Sequence, residues 1–233
     1  MNPVYDEIFS RTTLVAGDDM MARLKATRVL IVGVGGVGSW AAEALVRSGV
    51  GHITIVDNDV IAVSNINRQL PATTATIGLP KVEVLAERFI RINPTLDIKA
   101  INGIYAPETA DAFNLDSFDF IIDAIDTLEC KAILLLRATA SSATLFSSMG
   151  AARKLHASQV AVAEFWKVEG CPLARALRQR FKRNGVKPQR KFKCVYSPEN
   201  IPNRKKDTSN GTFAHTTAIF GMTLAGLVIE KLY

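Results

Sequence analysis

The chain has 233 residues, 48% of them hydrophobic, and a formal net charge of +6. This length can bury one sizeable core, so we expect a single folded domain with an extension and not a disordered chain. Cys130, Cys171 and Cys194 are scattered and form no C-x-x-C pair, which argues against a disulfide framework and a structural zinc site and predicts free thiols in a reducing cytoplasm.

A strand, a Gly-rich turn and a helix follow one another near the start of the chain. Residues 28–32 (RVLIV) form a continuous apolar run, which predicts a strand buried on both faces. Gly33, Gly35 and Gly38 then satisfy the G-x-G-x-x-G pattern, and residues 40–47 have helical character. Such a turn lets the backbone approach a ligand closely, and the start of the helix offers free N–H groups to a phosphate.

A second predicted strand, residues 52–56 (HITIV), ends at Asp57. A right-handed crossover makes it parallel to the first strand. The position of Asp57 suits a carboxylate that accepts hydrogen bonds from ribose hydroxyls. Up to this point the pattern fits NAD as well as ATP, so an NAD-dependent oxidoreductase is an open alternative.

The residues that follow favour ATP. Arg68 lies in the run from Ser64 to Gln69 (SNINRQ), and Lys81 begins the next predicted helix. Two cations near a phosphate turn suit transfer at the α-phosphate, where negative charge builds on the phosphorus oxygens and on departing pyrophosphate. Asp126, which follows another predicted strand, could hold Mg²⁺ directly or through water.

Helices and strands alternate through the next hundred residues. The patterns predict helices over 80–92 and 131–141, and strands over 96–101, 118–124 and 144–148. This alternation predicts an α/β fold, with a Rossmann-like, mostly parallel sheet and helices on both faces. We assign residues 1–155 to this ATP-binding domain, including an N-terminal helix, and no signal peptide is expected at its start.

Residues 156–233 are predicted to form a smaller β/α extension that packs on the same core. Residues 159–167 alternate like a strand, 172–183 predict a basic helix, and 184–210 predict a long loop. Residues 211–229 carry no charged side chain. A helix buried against the sheet or a second subunit is favoured over a membrane span, and we expect a cytoplasmic protein, with peripheral membrane association as the alternative.

Positive charge is concentrated in this extension. Between residues 167 and 206 there are 13 Lys or Arg and two Glu, a net charge of +11. Such a strip suits RNA, because each neutralised phosphate releases a counterion, although a solvated loop fits equally well. The candidate nucleic-acid contacts are Arg175, Arg178, Arg180, Lys182, Arg183, Lys191 and Lys193.

Taken in order, these motifs resemble those of the E1-like adenylating superfamily, over roughly the first 150 residues. The matching segments are Gly33–Ser39 (GVGGVGS), Asp57–Asp59, Ser64–Gln69, Lys81 and Asp126-Thr127. The resemblance implies adenylation of a carboxyl group, with ATP and Mg²⁺ as cofactors.

The resemblance also implies roles for individual residues. It implies that Gly36 touches the nucleotide, that Asp57 binds ribose and that Asp126 places Mg²⁺. Arg11 resembles an N-terminal arginine that reaches into the partner subunit's ATP site, which implies a homodimer. The implied catalytic residues are Arg11, Arg68, Lys81 and Asp126. The implied nucleotide contacts are Gly33, Gly35, Gly36, Gly38, Asp57, Asp59, Ser64, Asn65, Asn67, Arg68, Gln69, Lys81, Asp126 and Thr127.

Within the superfamily the chain lacks the two C-x-x-C zinc pairs of sulfur-carrier activators. Four segments instead are similar to the tRNA threonylcarbamoyladenosine dehydratases: Phe9–Gly17, Val32–Leu45, Cys171–Leu173 and Cys194–Glu199. That group commonly has Asp-Pro-Leu where this chain has Cys-Pro-Leu. The resemblance implies tRNA as substrate, and a carrier-protein or sulfur-transfer partner remains the alternative.

Overall fold

The computed structural model describes residues 3–206 and 209–233. Its helices are α1 (Pro3–Ile8), α2 (Ser10–Ala26), α3 (Gly38–Arg47), α4 (Lys81–Ile92), α5 (Leu128–Ala140), α6 (Pro172–Arg183) and α7 (Ala214–Leu232). Its strands are β1 (Arg28–Val32), β2 (His52–Asp57), β3 (Asp97–Asn102), β4 (Phe120–Asp123), β5 (Thr144–Ser148), β6 (Ala161–Glu164) and β7 (Lys193–Tyr196).

The strands form one seven-stranded sheet in the order β3-β2-β1-β4-β5-β7-β6. Every neighbouring pair is parallel except β6 and β7, which are antiparallel. The apolar runs of β1 and β4 lie at the centre and are buried on both faces, as continuous hydrophobic strands of a parallel sheet should be. The predicted α/β fold is therefore confirmed.

Helices cover both faces of this sheet. Leu45 of α3, Phe89 of α4 and Leu224 of α7 belong to the core on one face. Leu134 of α5 and Phe181 of α6 belong to the core on the other face. Because both α3 and α5 begin at the carboxyl edge of the sheet, their N–H groups point towards that edge.

The prediction of a loop over residues 184–210 was wrong in one part. β7 lies within this segment and pairs with β5 on one side and β6 on the other. Cys194 and Val195 of β7 are fully buried. The apolar residues here are Phe192 and Cys194–Tyr196, and the lysines and arginines before them gave the segment the composition of a loop.

The predicted strand over residues 159–167 is shorter than expected. β6 stops at Glu164, and a 3₁₀ turn over Phe165–Lys167 follows it. The Phe165 ring lies in the core and stacks on Phe192, with ring centroids 5.1 Å apart. Core packing of this ring therefore ends the strand where alternation alone would have continued it.

The apolar terminal segment forms α7, which packs against α3 and β5. A side chain at Gly221 would approach the carbonyl oxygen of Val37 to 2.5 Å, so the helix lies directly on the start of α3. None of the helices in residues 3–206 and 209–233 has the length and apolar character needed to cross a membrane.

Candidate nucleotide-binding site

A cleft of about 660 Å³ lies along the carboxyl edge of the sheet, where β1, β2, β4 and β5 end. In open α/β sheets this edge is where ligands bind. The cleft is lined by Gly33, Gly35, Gly36, Asp57, Arg68 and Asp126, among others. With Asp59 and Thr127, eight predicted site residues from four separate segments are thus brought together.

The turn between β1 and α3 has a shape that only glycine allows. Gly33 has a φ of +87°, and a side chain there would lie 2.7 Å from the carbonyl oxygen of Ala124. A side chain at Gly38 would overlap the carbonyl oxygen of Gly33. The turn therefore packs against the end of β4 and leaves the first N–H groups of α3 at the cleft.

Asp57 braces this turn from the neighbouring strand. One carboxylate oxygen accepts a hydrogen bond from the backbone N–H of Val34 at 2.8 Å, and the other accepts one from Asp59 at 2.9 Å. A carboxylate oxygen can accept more than one hydrogen bond, so both remain able to accept from a ribose hydroxyl. Its predicted contact with ribose stays a prediction.

Among residues 64–69, Arg68 is the one that lines the cleft. Its guanidinium donates to the carbonyl oxygen of Ser64 at 2.7 Å and to Oδ1 of Asn67 at 2.9 Å. Asn65 accepts a hydrogen bond from the backbone of Ala62. Ser64, Asn65 and Asn67 thus shape the segment that presents Arg68.

Gln69 is buried behind the phosphate turn. A side chain added at Gly35 would lie 3.6 Å from its Nε2. Ser39, in the first turn of α3, accepts a hydrogen bond from the backbone of Leu70 at 3.4 Å. Residues 69 and 70 therefore pack against the turn and the start of α3.

Lys81 begins α4 as predicted, and only 3% of its surface is exposed. Its ammonium group pairs with Asp59 at 2.6 Å, and Asp59 lines the cleft. Lys81 therefore supplies a positive charge immediately behind the wall of the cleft, next to the end of β2.

Asp126 and Thr127 lie in the loop between β4 and α5, and both are exposed in the cleft. A carboxylate there fits Mg²⁺, a hard cation that prefers oxygen ligands. Among the described residues no group of three or more His, Cys, Asp or Glu could hold a metal alone. The chemistry therefore fits Mg²⁺ held jointly by one carboxylate, nucleotide phosphates and water.

Sequence reasoning missed Lys154, which lines the other half of the cleft. It is 4% exposed, and its ammonium group donates to the carbonyl oxygens of Ser197 and Glu199. Burial lowers the pKa of Lys154. The Glu199 carboxylate in turn accepts from the backbone of Leu155 and His156. Nothing in the sequence near Lys154 indicates that this lysine will bind a segment more than 40 residues away in the chain.

The three cysteines are buried, as expected for core residues. Burial raises the pKa of the Cys194 thiol well above its usual value, and burial also raises the pKa of Cys130. Cys171 lines the cleft next to the N-terminus of α6 and is 2% exposed. Buried thiols with a raised pKa are poor nucleophiles, which argues against Cys130 and Cys194 in that role.

Two of the predicted RNA contacts make hydrogen bonds or ion pairs within the fold, and their contact with RNA stays a prediction. Arg178 donates to the carbonyl oxygens of Phe165 and Val168 at 3.0 and 2.9 Å. Arg180 pairs with Glu129 at 3.0 Å. Their guanidinium groups bridge elements of the protein, a use that spacing along the chain does not reveal.

The other basic candidates are exposed, but they lie in different places. Arg175 is in the first half of α6, whose N-terminus is at the cleft, while Lys182 and Arg183 end this helix. Lys191 and Lys193 line a separate cavity of about 620 Å³ at the amino ends of β5 and β7. Most of the exposed cations thus lie at the end of the sheet opposite the nucleotide cleft.

Arg11 is exposed on α2 and does not reach the cleft of its own chain. The preceding residues hold this segment at the far end of α3, where the hydroxyl of Tyr5 donates to the carbonyl oxygen of Gly49 at 2.7 Å. Since α3 has ten residues, the two ends are about 15 Å apart.

A parallel sheet with a phosphate turn, a bracing aspartate and cations at its carboxyl edge defines a nucleotide-binding α/β protein. A profile described as the ThiF family matches residues 9–233. The chain therefore belongs to the ThiF family, and the resemblance inferred from the motifs is confirmed.

Several curated relatives carry the name tRNA threonylcarbamoyladenosine dehydratase, two of them from Bacillus subtilis and Haemophilus influenzae. The one from Bacillus subtilis (strain 168) is 38% identical over 192 residues, covering 82% of this chain and 75% of the relative. The one from Haemophilus influenzae is 34% identical over 245 residues, covering 98% and 94%. The molybdopterin-synthase adenylyltransferase of Escherichia coli is 33% identical over 76% of this chain and 70% of its own length.

The fold also matches a solved structure. The Escherichia coli tRNA N6-threonylcarbamoyladenosine dehydratase in complex with ATP superposes with a TM-score of 0.92 and 31% identity, covering 99% of this chain and 96% of that one. The structure of the same enzyme in complex with AMP gives a TM-score of 0.93. The relatives named as dehydratases thus match over more of the chain than the adenylyltransferase does.

Proposed function

We propose that this chain uses ATP to adenylate the carboxylate of N6-threonylcarbamoyladenosine in tRNA and then closes a ring with net loss of water. The observation that carries the proposal is the similarity to the Escherichia coli dehydratase over 99% of the chain. The cleft supports it, since a phosphate turn, Arg68 and Asp126 lie together at the sheet edge.

The reaction has two steps. First the substrate carboxylate attacks the α-phosphorus of ATP, which forms an acyl-adenylate and releases pyrophosphate. Then the neighbouring carbamoyl group attacks the acyl carbon, loses a proton and expels AMP, which keeps one of the original carboxylate oxygens. That oxygen, the proton lost by the carbamoyl group and the proton that the carboxyl group lost on ionisation make up the water removed. No thiol takes part in either step.

The residues of the chain mainly position the reactants and stabilise charge. The turn at Gly33–Gly38 holds the phosphates, and Asp57 both braces the turn and accepts from ribose. Arg68 and Lys81 offset the charge that develops on phosphate oxygens. Asp126 would hold Mg²⁺, which neutralises the charge of the phosphates when it is bound.

A second candidate function is adenylation of the C-terminus of a sulfur-carrier protein. The similarity to molybdopterin-synthase adenylyltransferase supports it. Both reactions begin at the same cleft with the same attack on ATP. The identity of the carboxyl donor distinguishes them, and the donor decides whether pyrophosphate release needs tRNA or a protein.

Mass spectrometry of tRNA nucleosides tests the proposal directly. After incubation of enzyme and ATP with tRNA that carries threonylcarbamoyladenosine, we expect the modified nucleoside to become lighter by one water. An Asp126→Asn enzyme and a reaction without ATP are the controls. Pyrophosphate release that responds to a carrier protein and ignores modified tRNA would support the second candidate instead.

We infer that the exposed cations bind the RNA backbone. Lys182, Arg183, Lys191 and Lys193 lie at the end of the sheet away from the cleft. A folded tRNA is long enough to contact this surface while its modified base reaches a cleft, either of the same chain or of a partner. The cytoplasm, which holds tRNA and keeps thiols reduced, is the expected location.

We also propose that two copies of the chain share their sites. Arg11 is exposed and held at the end of α3 away from its own cleft, which suits an arginine that enters the partner's cleft. Exposed apolar residues adjoin it on the same helix, with Leu14 79% and Val15 81% exposed. An apolar surface next to a functional cation is typical of an interface.

Complementation between inactive variants tests this arrangement. Arg11→Ala and Asp126→Ala enzymes are each expected to be inactive, but a mixture should regain up to about a quarter of the activity, because mixed dimers contain one intact cleft. Mixing Asp126→Ala with Arg68→Ala is the control. If Arg11 acts in its own cleft, both mixtures should behave alike.

A further inference from the structure

Directly beneath the cleft lies an ion pair that the proposed mechanism does not use. Lys131 of α5 and Asp123 at the end of β4 are both fully buried, and Nζ lies 2.7 Å from Oδ2. The hydroxyl of Ser147 on β5 donates to the same carboxylate oxygen at 2.5 Å. The pair therefore joins two strands and a helix at the carboxyl edge of the sheet.

Both members of the pair also hold the backbone of one residue. The other carboxylate oxygen of Asp123 accepts from the backbone N–H of Ile125 at 3.1 Å. Nζ of Lys131 donates to the carbonyl oxygen of Ile125 at 2.9 Å. Asp126 comes next in the chain, so its backbone orientation is set from within the core.

Stability alone is a weak reason for such a pair. The free-energy cost of removing two charges from water commonly exceeds the gain from their attraction. Apolar side chains of similar volume often give equal or greater stability. What the pair adds is geometry, since it fixes the N–H and the C=O of Ile125 at once. Mg²⁺ tolerates little deviation from octahedral coordination, so a ligand held in place binds it better.

We propose that Lys131 is a positioning residue for Mg²⁺-dependent nucleotide binding. Through Asp123 and the carbonyl of Ile125 it orients Asp126 without touching the nucleotide or the metal. This inference rests on the proposed function, which gives Asp126 to Mg²⁺.

The test measures binding and does not depend on turnover. A fluorescent ATP analogue is titrated onto the protein without Mg²⁺, and Mg²⁺ is then titrated onto the complex. For Lys131→Met we expect the half-saturating Mg²⁺ concentration to rise about 10–100-fold, the usual effect of losing a residue that orients a metal ligand. Affinity for the metal-free analogue should change much less than this, because the glycines of the phosphate turn are unchanged.

Three further variants make the result specific. Lys131→Arg keeps the charge and should restore part of the Mg²⁺ response. Ser147→Ala removes one donor to Asp123 while both charges remain, so a smaller shift is expected, and it carries the test if Lys131→Met fails to fold. Arg137→Met on the same helix breaks the exposed pair with Asp111 and should leave Mg²⁺ binding unchanged.

The possible outcomes distinguish a failure of the role of Lys131 from a failure of the assignment of Mg²⁺ to Asp126. If Lys131→Met, or Ser147→Ala in its place, is less stable but responds to Mg²⁺ like the unaltered protein, the pair is structural and the inference fails. If Asp126→Asn also leaves the Mg²⁺ response unchanged, the assignment of Mg²⁺ to Asp126 in the proposed function fails instead. A shift with Asp126→Asn and none with the other two overturns only the role of Lys131.

Discussion

Replacing Lys81 with methionine should reduce ATP-dependent pyrophosphate release about 10²–10³-fold, the usual cost of losing one group aimed at developing charge. Methionine keeps the buried apolar stem and removes only the ammonium group. The partner Asp59 is 62% exposed and remains hydrated, so the fold should persist. The loss should fall mainly on kcat if the charge acts in the transition state.

Steady-state assays of pyrophosphate release with modified tRNA give this result directly. Lys99→Met is a suitable control, because Lys99 is an exposed lysine on β3. Lys81→Arg should keep part of the activity, since it retains a positive charge. Turnover by Lys81→Met at the rate of the unaltered enzyme would show that this lysine has no part in adenylation.

Replacing Gly38 with alanine should weaken ATP binding and lower stability together. The added methyl group would overlap the carbonyl oxygen of Gly33, so the turn has to move away from the end of β4. Forcing a methyl group into a filled site costs about 1–3 kcal/mol. If the strain falls on the turn, ATP affinity should drop roughly 5–150-fold.

Gly226→Ala provides the matched control for this change. Gly226 lies inside α7, and a methyl group there would meet no atom within 4 Å. Alanine is favoured over glycine within a helix by about 1 kcal/mol, so this variant should bind ATP normally and melt at the same or a higher temperature. Calorimetric titration with ATP and thermal melting compare the two. Equal ATP affinities would show that the turn tolerates a side chain at residue 38.

The strands at the centre of the sheet could be predicted because their signal is local. β1, β2 and β4 contain runs of apolar residues, whereas β5 has only Leu145 and Phe146, and all four strands occur close to their predicted positions. β7 escaped detection because its short apolar run, Cys194–Tyr196, is preceded by Arg190, Lys191 and Lys193 and followed by Ser197 and Pro198. A strand this short gains its stability from neighbours on both sides, which lie far away in the chain.

For the basic helix α6, the sequence predicted the position of the helix but not which of its charged side chains are exposed. Its position over residues 172–183 agrees with the prediction, yet spacing could not tell Arg178 from Lys182. Arg178 donates to two backbone carbonyls, and Lys182 is exposed. Whether a cation meets solvent or a carbonyl depends on what packs above it, and the sequence contains no local record of that.

The Gly-rich turn at Gly33–Gly38 and the alternation of strands and helices could be predicted from the amino-acid sequence, because each depends on residues that are close together in the chain. Only the tertiary structure showed that Lys131 and Lys154 are buried beside the cleft, and that Arg11 lies away from its own cleft. Burial of a charge requires partners from distant segments. Those partners come together only in the folded protein, so the burial of these residues could not be predicted from the sequence.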